Sequence, residues 1–165
     1  MLYKGDLIMS KKIAILSASW HTNIVNSAEN SAIEELVKLG YARENIDVIK
    51  VPGAVEIPLA GKLALENGYD CAIGIALVVD GQIYRHEFVG HTVVQGILDA
   101  SLATNKPFIS AVLTPQRYNE NSDLYEEMYI KHFVVKGQEA AKAADQAIQV
   151  VEQLSAGSQA NKVAA

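Results

Sequence analysis

The run from Cys71 to Val79, CAIGIALVV, constrains the chain more than any other stretch. It carries no charge and no polar–apolar alternation, so it reads as a strand covered on both faces, the condition of strands in parallel sheets flanked by helices. Polarity then changes abruptly. Asp80-Gly81-Gln82 breaks the strand, and Tyr84, Arg85, His86, Glu87 and His91 follow closely. Apolar residues return at Val93, Val94, Ile97, Leu98 and Leu102 with helical spacing.

The same alternation recurs along the chain. Lys12–Ala18 is a short apolar run ending in Ser19-Trp20-His21-Thr22-Asn23, where Thr22 or Asn23 can cap a helix bearing Ile24, Ala28, Ala32, Leu36 and Leu39 and ended by Gly40. Ile46–Val51 is a second strand. Pro52–Pro58 turns into a helix with its proline in the first turn, where the missing N–H is harmless, and that helix stops near Asn67-Gly68. Pro107 introduces a fourth strand, Phe108–Leu113, followed by the polar loop Thr114–Asn121. Helix resumes near Asp123, with an interruption expected around Lys136-Gly137 and an end near Leu154. The expected fold is α/β, a flavodoxin-like three-layer sandwich with a four-stranded parallel sheet and helices on both faces.

One domain over residues 11–155 is expected. Residues 1–10 would be an N-terminal extension, with Met9 an alternative start, and residues 156–165 a flexible tail. A net charge of −5 without a basic run gives no sign of a nucleic-acid partner. No apolar run reaches the length of a membrane helix, so no membrane partner is expected. The lone Cys71 cannot form an internal disulfide, which suits a reduced, cytoplasmic compartment.

Ligands of open α/β sheets sit outside the carboxyl ends of the strands. Four loops should meet there: Ser19–Asn23, Pro52–Pro58, Asp80–His91 and Thr114–Asn121. The GxxxxGK[ST], GxGxxG and Gly-x-Ser-x-Gly patterns are absent, as is His/Cys spacing for zinc. Trp20 either packs against a helix or offers a flat platform to a heterocycle. Glu56 either complements a helix dipole or holds a ligand. Arg85 and His86 put a fixed cation and a titratable imidazole at a strand end, where histidine can move protons near neutrality. His132 and Lys136, four residues apart, share a helix face that is either an anion site or a solvated stripe.

Taken together, Val51-Pro52-Gly53-Ala54-Val55-Glu56-Ile57-Pro58, the strand ending Val78-Val79-Asp80-Gly81, the Arg85-His86-Glu87-Phe88-Val89 run and Lys136-Gly137 resemble the lumazine synthase family over roughly Lys12–Leu154. Trp20 and Ile83-Tyr84-Arg85-His86 look like its type II branch. The resemblance implies a 6,7-dimethyl-8-ribityllumazine synthase of riboflavin biosynthesis. Such an enzyme condenses 5-amino-6-(D-ribitylamino)uracil with 3,4-dihydroxy-2-butanone 4-phosphate, releasing phosphate and water. It needs no cofactor and no metal, and forms homo-oligomers built on pentamers, in type II members decamers.

By the same resemblance, Trp20 stacks on the pyrimidine, and Ala54, Val55 and Glu56 hold the ribityl chain. The main chain of Leu77, Val78 and Val79 reads the pyrimidine edge, and Gln82 and Ile83 form the phosphate-binding turn. Ser110 lines the site of a neighbouring subunit. Two positions depart from the family. Arg85 stands where most members have histidine, so His86 is assigned the proton and Arg85 the charge, because an arginine stays protonated. Met128 stands where the family has a phosphate-binding arginine. His132 is assigned that role with Lys136 in support, Arg117 being the other cation nearby. The rival readings are a non-catalytic flavin or lumazine binder of the same fold and a purely structural shell protein.

Overall fold

A computed structural model describes residues 10–80, 85–116 and 122–163, with residues 157–163 as backbone alone. Four strands form one parallel sheet: β1 (Ile13–Ala18), β2 (Ile46–Val51), β3 (Cys71–Leu77) and β4 (Phe108–Leu113), in the order β2-β1-β3-β4. Four helices connect and cover them: α1 (Thr22–Lys38), α2 (Ile57–Glu66), α3 (His86–Thr104) and α4 (Asp123–Val163).

Register is continuous across the sheet, with Ile13 opposite both Ile46 and Cys71, and Leu77 opposite Leu113. β1 and β3 are buried along their whole length. Their alternate residues feed two separate cores. Ile13, Ile15, Ile73 and Ile75 pack with Ile24, Ala28 and Leu36 of α1 and Phe133, Ala141 and Ala144 of α4. Ala14, Leu16, Ala72 and Ala76 pack with Ile57 and Leu65 of α2 and Val93 and Ile97 of α3. The three-layer sandwich expected from the unbroken apolar runs is present.

Three local expectations change. The start of α1 is capped by neither Thr22 nor Asn23. Its N-cap is His21, in the left-handed region at φ 53°, ψ 47°, and its carbonyl accepts from Ile24 N and Val25 N at 3.0 Å each. At the other end Gly40 (φ 102°) closes a Schellman motif: Gly40 N donates to Val37 O and Tyr41 N to Leu36 O, with Tyr41 and Leu36 in the same core.

Helix α4 is not interrupted at Lys136-Gly137, and it runs past Leu154 to Val163. Gly137 is there for proximity. A Cβ on it would lie 2.1 Å from both Ala28 O and Ser31 Oγ of α1. The cost of a mid-helix glycine, about 1 kcal/mol, is offset by the close packing of two helices along Ala28, Ala32, Ala140, Ala141 and Ala144.

Helix α3 buries Val93, Ile97 and Ala100, whereas Val94, Leu98 and Leu102 face outward. Its apolar arc is wider than one sheet can cover.

Candidate active site

The carboxyl ends of the strands are knit into a rim. Ser19 donates to Val51 O through both its N–H (3.0 Å) and its hydroxyl (2.8 Å), joining the ends of β1 and β2. Val78 N donates to Leu113 O at 2.9 Å, joining β3 to β4. The chain leaves β1 toward β2 on one side and β3 toward β4 on the other, so the rim opens at the topological switch point where such sheets bind ligands.

At the β1–β2 end, Trp20 is 69% exposed although it is the only tryptophan of the chain. Its indole lies against Gly53, where a Cβ would stand 3.8 Å from Trp20 Cδ1 and Nε1 and 3.2 Å from Glu56 Oε2. Gly53 is extended (φ −152°), so its value is the close approach it permits. Glu56 Oε2 accepts from Gly53 N at 2.8 Å across a 3-10 turn, Ala54–Glu56. Part of the simple reading of Glu56 therefore holds, since it caps its own turn. That bond also fixes an exposed carboxylate beside the indole, with Ala54 half-buried and Val55 exposed on the same turn.

At the β3 end, Leu77 and Val78 are buried and Val79 is half-buried, so they meet the rim through their main chain. Gln82 and Ile83 lie outside the described residues. Arg85 precedes α3 in an extended conformation, its guanidinium 4.6 Å from the Phe88 ring centroid, a cation–π contact that fixes the charge. His86 is the first residue of α3, with its side chain 11% exposed. Its Nδ1 is buried without a hydrogen-bond partner, 3.7 Å from Glu87 Oε2 and 3.9 Å from Asp80 Oδ1. Helix α3 approaches β4 closely here, since a Cβ on Gly90 would lie 2.6 Å from Thr114 Cγ2. His91 is exposed.

The remaining candidates gather along β4, an edge strand. Ser110 is exposed and pairs with Gly74, three residues short of the end of β3. It lines a pocket of about 230 Å³ with Lys136 and Glu139. Lys136 Nζ donates to Glu139 Oε2 at 2.7 Å, and this bond holds the Glu139 carboxyl below its usual range. His132 lines the adjoining pocket of about 450 Å³ with Thr114, Pro115 and Tyr129, at the carboxyl end of β4. Burial raises the Tyr129 phenol above its ordinary range. Arg117 lies outside the described residues.

The structure thus unites Trp20 with Gly53 and Glu56, and His86 with Asp80 and Glu87, on one rim. Ser110 and Lys136 stand apart. Two strand spacings separate β4 from β1, about 10 Å, and three residues of strand add about as much again. Tyr129 was missed in the sequence, although its i, i+3 spacing to His132 puts both on one helix face. A third tie is non-local: Asn23 Nδ2 donates to Glu126 Oε1 at 2.8 Å, hooking the first turn of α4 to the first turn of α1, just after the loop that bears Trp20.

Among the described residues no group of three His, Cys, Asp or Glu side chains could hold a metal ion. No described helix is long and apolar enough to cross a membrane.

Residues 10–152 match the family described as 6,7-dimethyl-8-ribityllumazine synthase. A Rhodococcus erythropolis protein named 6,7-dimethyl-8-ribityllumazine synthase is 40% identical over 148 residues, covering 89% of this chain and 95% of its own. Proteins named 6,7-dimethyl-8-ribityllumazine synthase 2 from Pseudomonas syringae pv. tomato and Bradyrhizobium diazoefficiens are 40% and 38% identical over 146 and 147 residues. These matches cover 88% and 87% of this chain and 85% and 86% of theirs.

Proposed function

The chain belongs to the 6,7-dimethyl-8-ribityllumazine synthase family, and on that premise we propose how its rim carries out the family's reaction. The enzyme is a transferase of riboflavin biosynthesis. It condenses 5-amino-6-(D-ribitylamino)uracil with 3,4-dihydroxy-2-butanone 4-phosphate to 6,7-dimethyl-8-ribityllumazine, with release of phosphate and water. The observation that carries the site assignment is the exposed Trp20 indole held against Gly53 beside the oriented Glu56 carboxylate.

The pyrimidine stacks on Trp20, and its ribityl hydroxyls are held by Glu56 and by the backbone of Ala54 and Val55. The main chain of Leu77–Val79 reads the pyrimidine edge. Imine formation, loss of phosphate and ring closure each move a proton. His86 carries it, and general acid–base help of this kind contributes about 10²–10⁴-fold. The Asp80 and Glu87 carboxylates lie 3.9 and 3.7 Å from His86 Nδ1. Arg85 serves by charge alone, which its stacking on Phe88 supports. Gln82 and Ile83 supply N–H groups to the phosphate, with His132 as its cation and Lys136 behind it.

The assembly is a homo-oligomer of pentamers, two of them face to face, with each site shared between neighbours. Two observations support this. Ser110 and Lys136 lie well away from Trp20 within one chain, as expected if the β4 edge completes another subunit's rim. Leu59 and Leu63 of α2 and Val94, Leu98 and Leu102 of α3 leave apolar side chains in water unless copies cover them. A reducing cytoplasmic setting suits the lone Cys71 buried in β3.

Mixing the purified protein with both substrates and following lumazine absorbance and fluorescence above the uncatalysed rate tests this reading. Acceleration that disappears in Trp20→Ala and His86→Ala is the expected result. Tight flavin binding without turnover would mean that the fold serves binding alone.

A further inference from the structure

We propose that His21 is a positioning residue, whose left-handed backbone conformation sets the Trp20 indole over Gly53. The proposal rests on the reading of Trp20 as the pyrimidine platform. Trp20 lies between two anchors. On one side, Ser19 is bound twice to Val51 O. On the other, the His21 carbonyl caps α1 through Ile24 N and Val25 N. Helix α1 cannot reorient to suit the loop, because Ile24, Val25 and Ala28 are buried in the core. Only the torsions of Trp20 and His21 remain to turn the chain from strand to helix, and the turn is made at His21 with φ 53°.

A residue with a Cβ rarely adopts that conformation. Among the described residues the only other non-glycine at positive φ is Asn105, of a type that tolerates it, at the C-terminus of α3. Were residue 21 to return to negative φ, the direction change would shift to Trp20 and carry its side chain off Gly53. The indole would then no longer lie beside Glu56.

The backbone and the imidazole make separable contributions. Glycine and asparagine accept positive φ but lack the imidazole, and a β-branched residue resists it. The test compares His21→Gly, His21→Asn and His21→Val with the parent protein, each checked for folding by far-UV circular dichroism. Near-UV circular dichroism and fluorescence report Trp20 alone among tryptophans, because the chain has no other.

The expected result is a parent-like Trp20 spectrum and pyrimidine KM for His21→Gly and His21→Asn. His21→Val should show an altered Trp20 spectrum and a pyrimidine KM raised about fivefold, the scale of one aromatic contact, with the KM for butanone phosphate unchanged. If His21→Val does not fold, His21→Ala set against His21→Gly carries the same contrast. Two results overturn the proposal: parent-like behaviour of His21→Val, or equal losses in the glycine and asparagine variants, which would assign the effect to the imidazole. If the parent itself turns over neither substrate, the functional reading fails, and the substrate-free spectra still decide whether His21 positions Trp20.

Discussion

Replacing Gly137 by alanine tests how α1 and α4 are held together. In most exposed helices the change would stabilise by about 1 kcal/mol. Here the new methyl would sit 2.1 Å from Ala28 O and from Ser31 Oγ, and 2.9 Å from Ala28 C. Ordinary contact requires the helices to part by about 1 Å along a seam lined by Ala28, Ala32, Ala140, Ala141 and Ala144. Overpacking of a close-packed interior costs about 1–3 kcal/mol. An immovable backbone carbonyl puts this site at the upper end, so the net loss is about 2 kcal/mol. For a chain of this size that is a fall in Tm of about 4–8 °C, measured by circular dichroism at fixed protein concentration because assembly contributes to the melt. The double variant with Ser31→Ala should recover little, since the Ala28 carbonyl remains. Gly137→Ala melting at or above the parent would refute the reasoning, because it would mean that the seam has room for a methyl group.

Three other perturbations separate the roles assigned at the site and in the core. Trp20→Ala should raise the pyrimidine KM about fivefold through loss of stacking, and an unchanged KM would remove Trp20 from the site. His86→Ala should lower kcat by about 10²-fold or more and by more than Arg85→Lys does, so the opposite ranking would reassign the proton. Tyr41 is buried, its hydroxyl donating to Asp145 Oδ1 at 3.0 Å, and burial first and that bond second push its phenol above the ordinary range. The native state therefore keeps this proton when the unfolded chain loses it. The corresponding stability is fully present below about pH 10 and falls as pH rises further. Tyr41→Phe should lose about 1 kcal/mol at neutral pH but show a shallower decline between about pH 9 and 11 in urea titrations. Parallel curves would clear Tyr41 of that role.

The two central strands were legible as apolar runs, while Ile46–Val51, interrupted by Asp47 and Lys50, and Phe108–Leu113, which follows Pro107, appear with the expected bounds. The Pro52–Pro58 turn was equally legible, since Gly53 and Glu56 interact across three residues of the same loop. What could not be read depends on distant partners. Gly137 looks like a helix breaker until Ala28 and Ser31, more than a hundred residues earlier, are seen against it. The contact of Trp20 with Gly53 joins two loops, and the separation of Ser110 from that rim follows from strand order. His21 gives only a faint warning: histidine is enriched among the few non-glycine residues at positive φ, but most histidines stay at negative φ. Histidine at a cap offers no intrinsic preference strong enough to outweigh Thr22 and Asn23 as candidates.

The hydrogen bond from Val78 N to Leu113 O has a bearing on how such a rim can change. With its amide committed to the sheet, Val78 can offer a ligand only its carbonyl, a group that every amino acid carries. Side-chain replacement at Val78 or Val79 would alter packing and leave that group in place. An alanine scan would accordingly score these positions as structural, even with the substrate-reading role proposed for their main chain. Selectivity built this way is recorded in the path of the chain, and mutation reaches it only by moving the backbone.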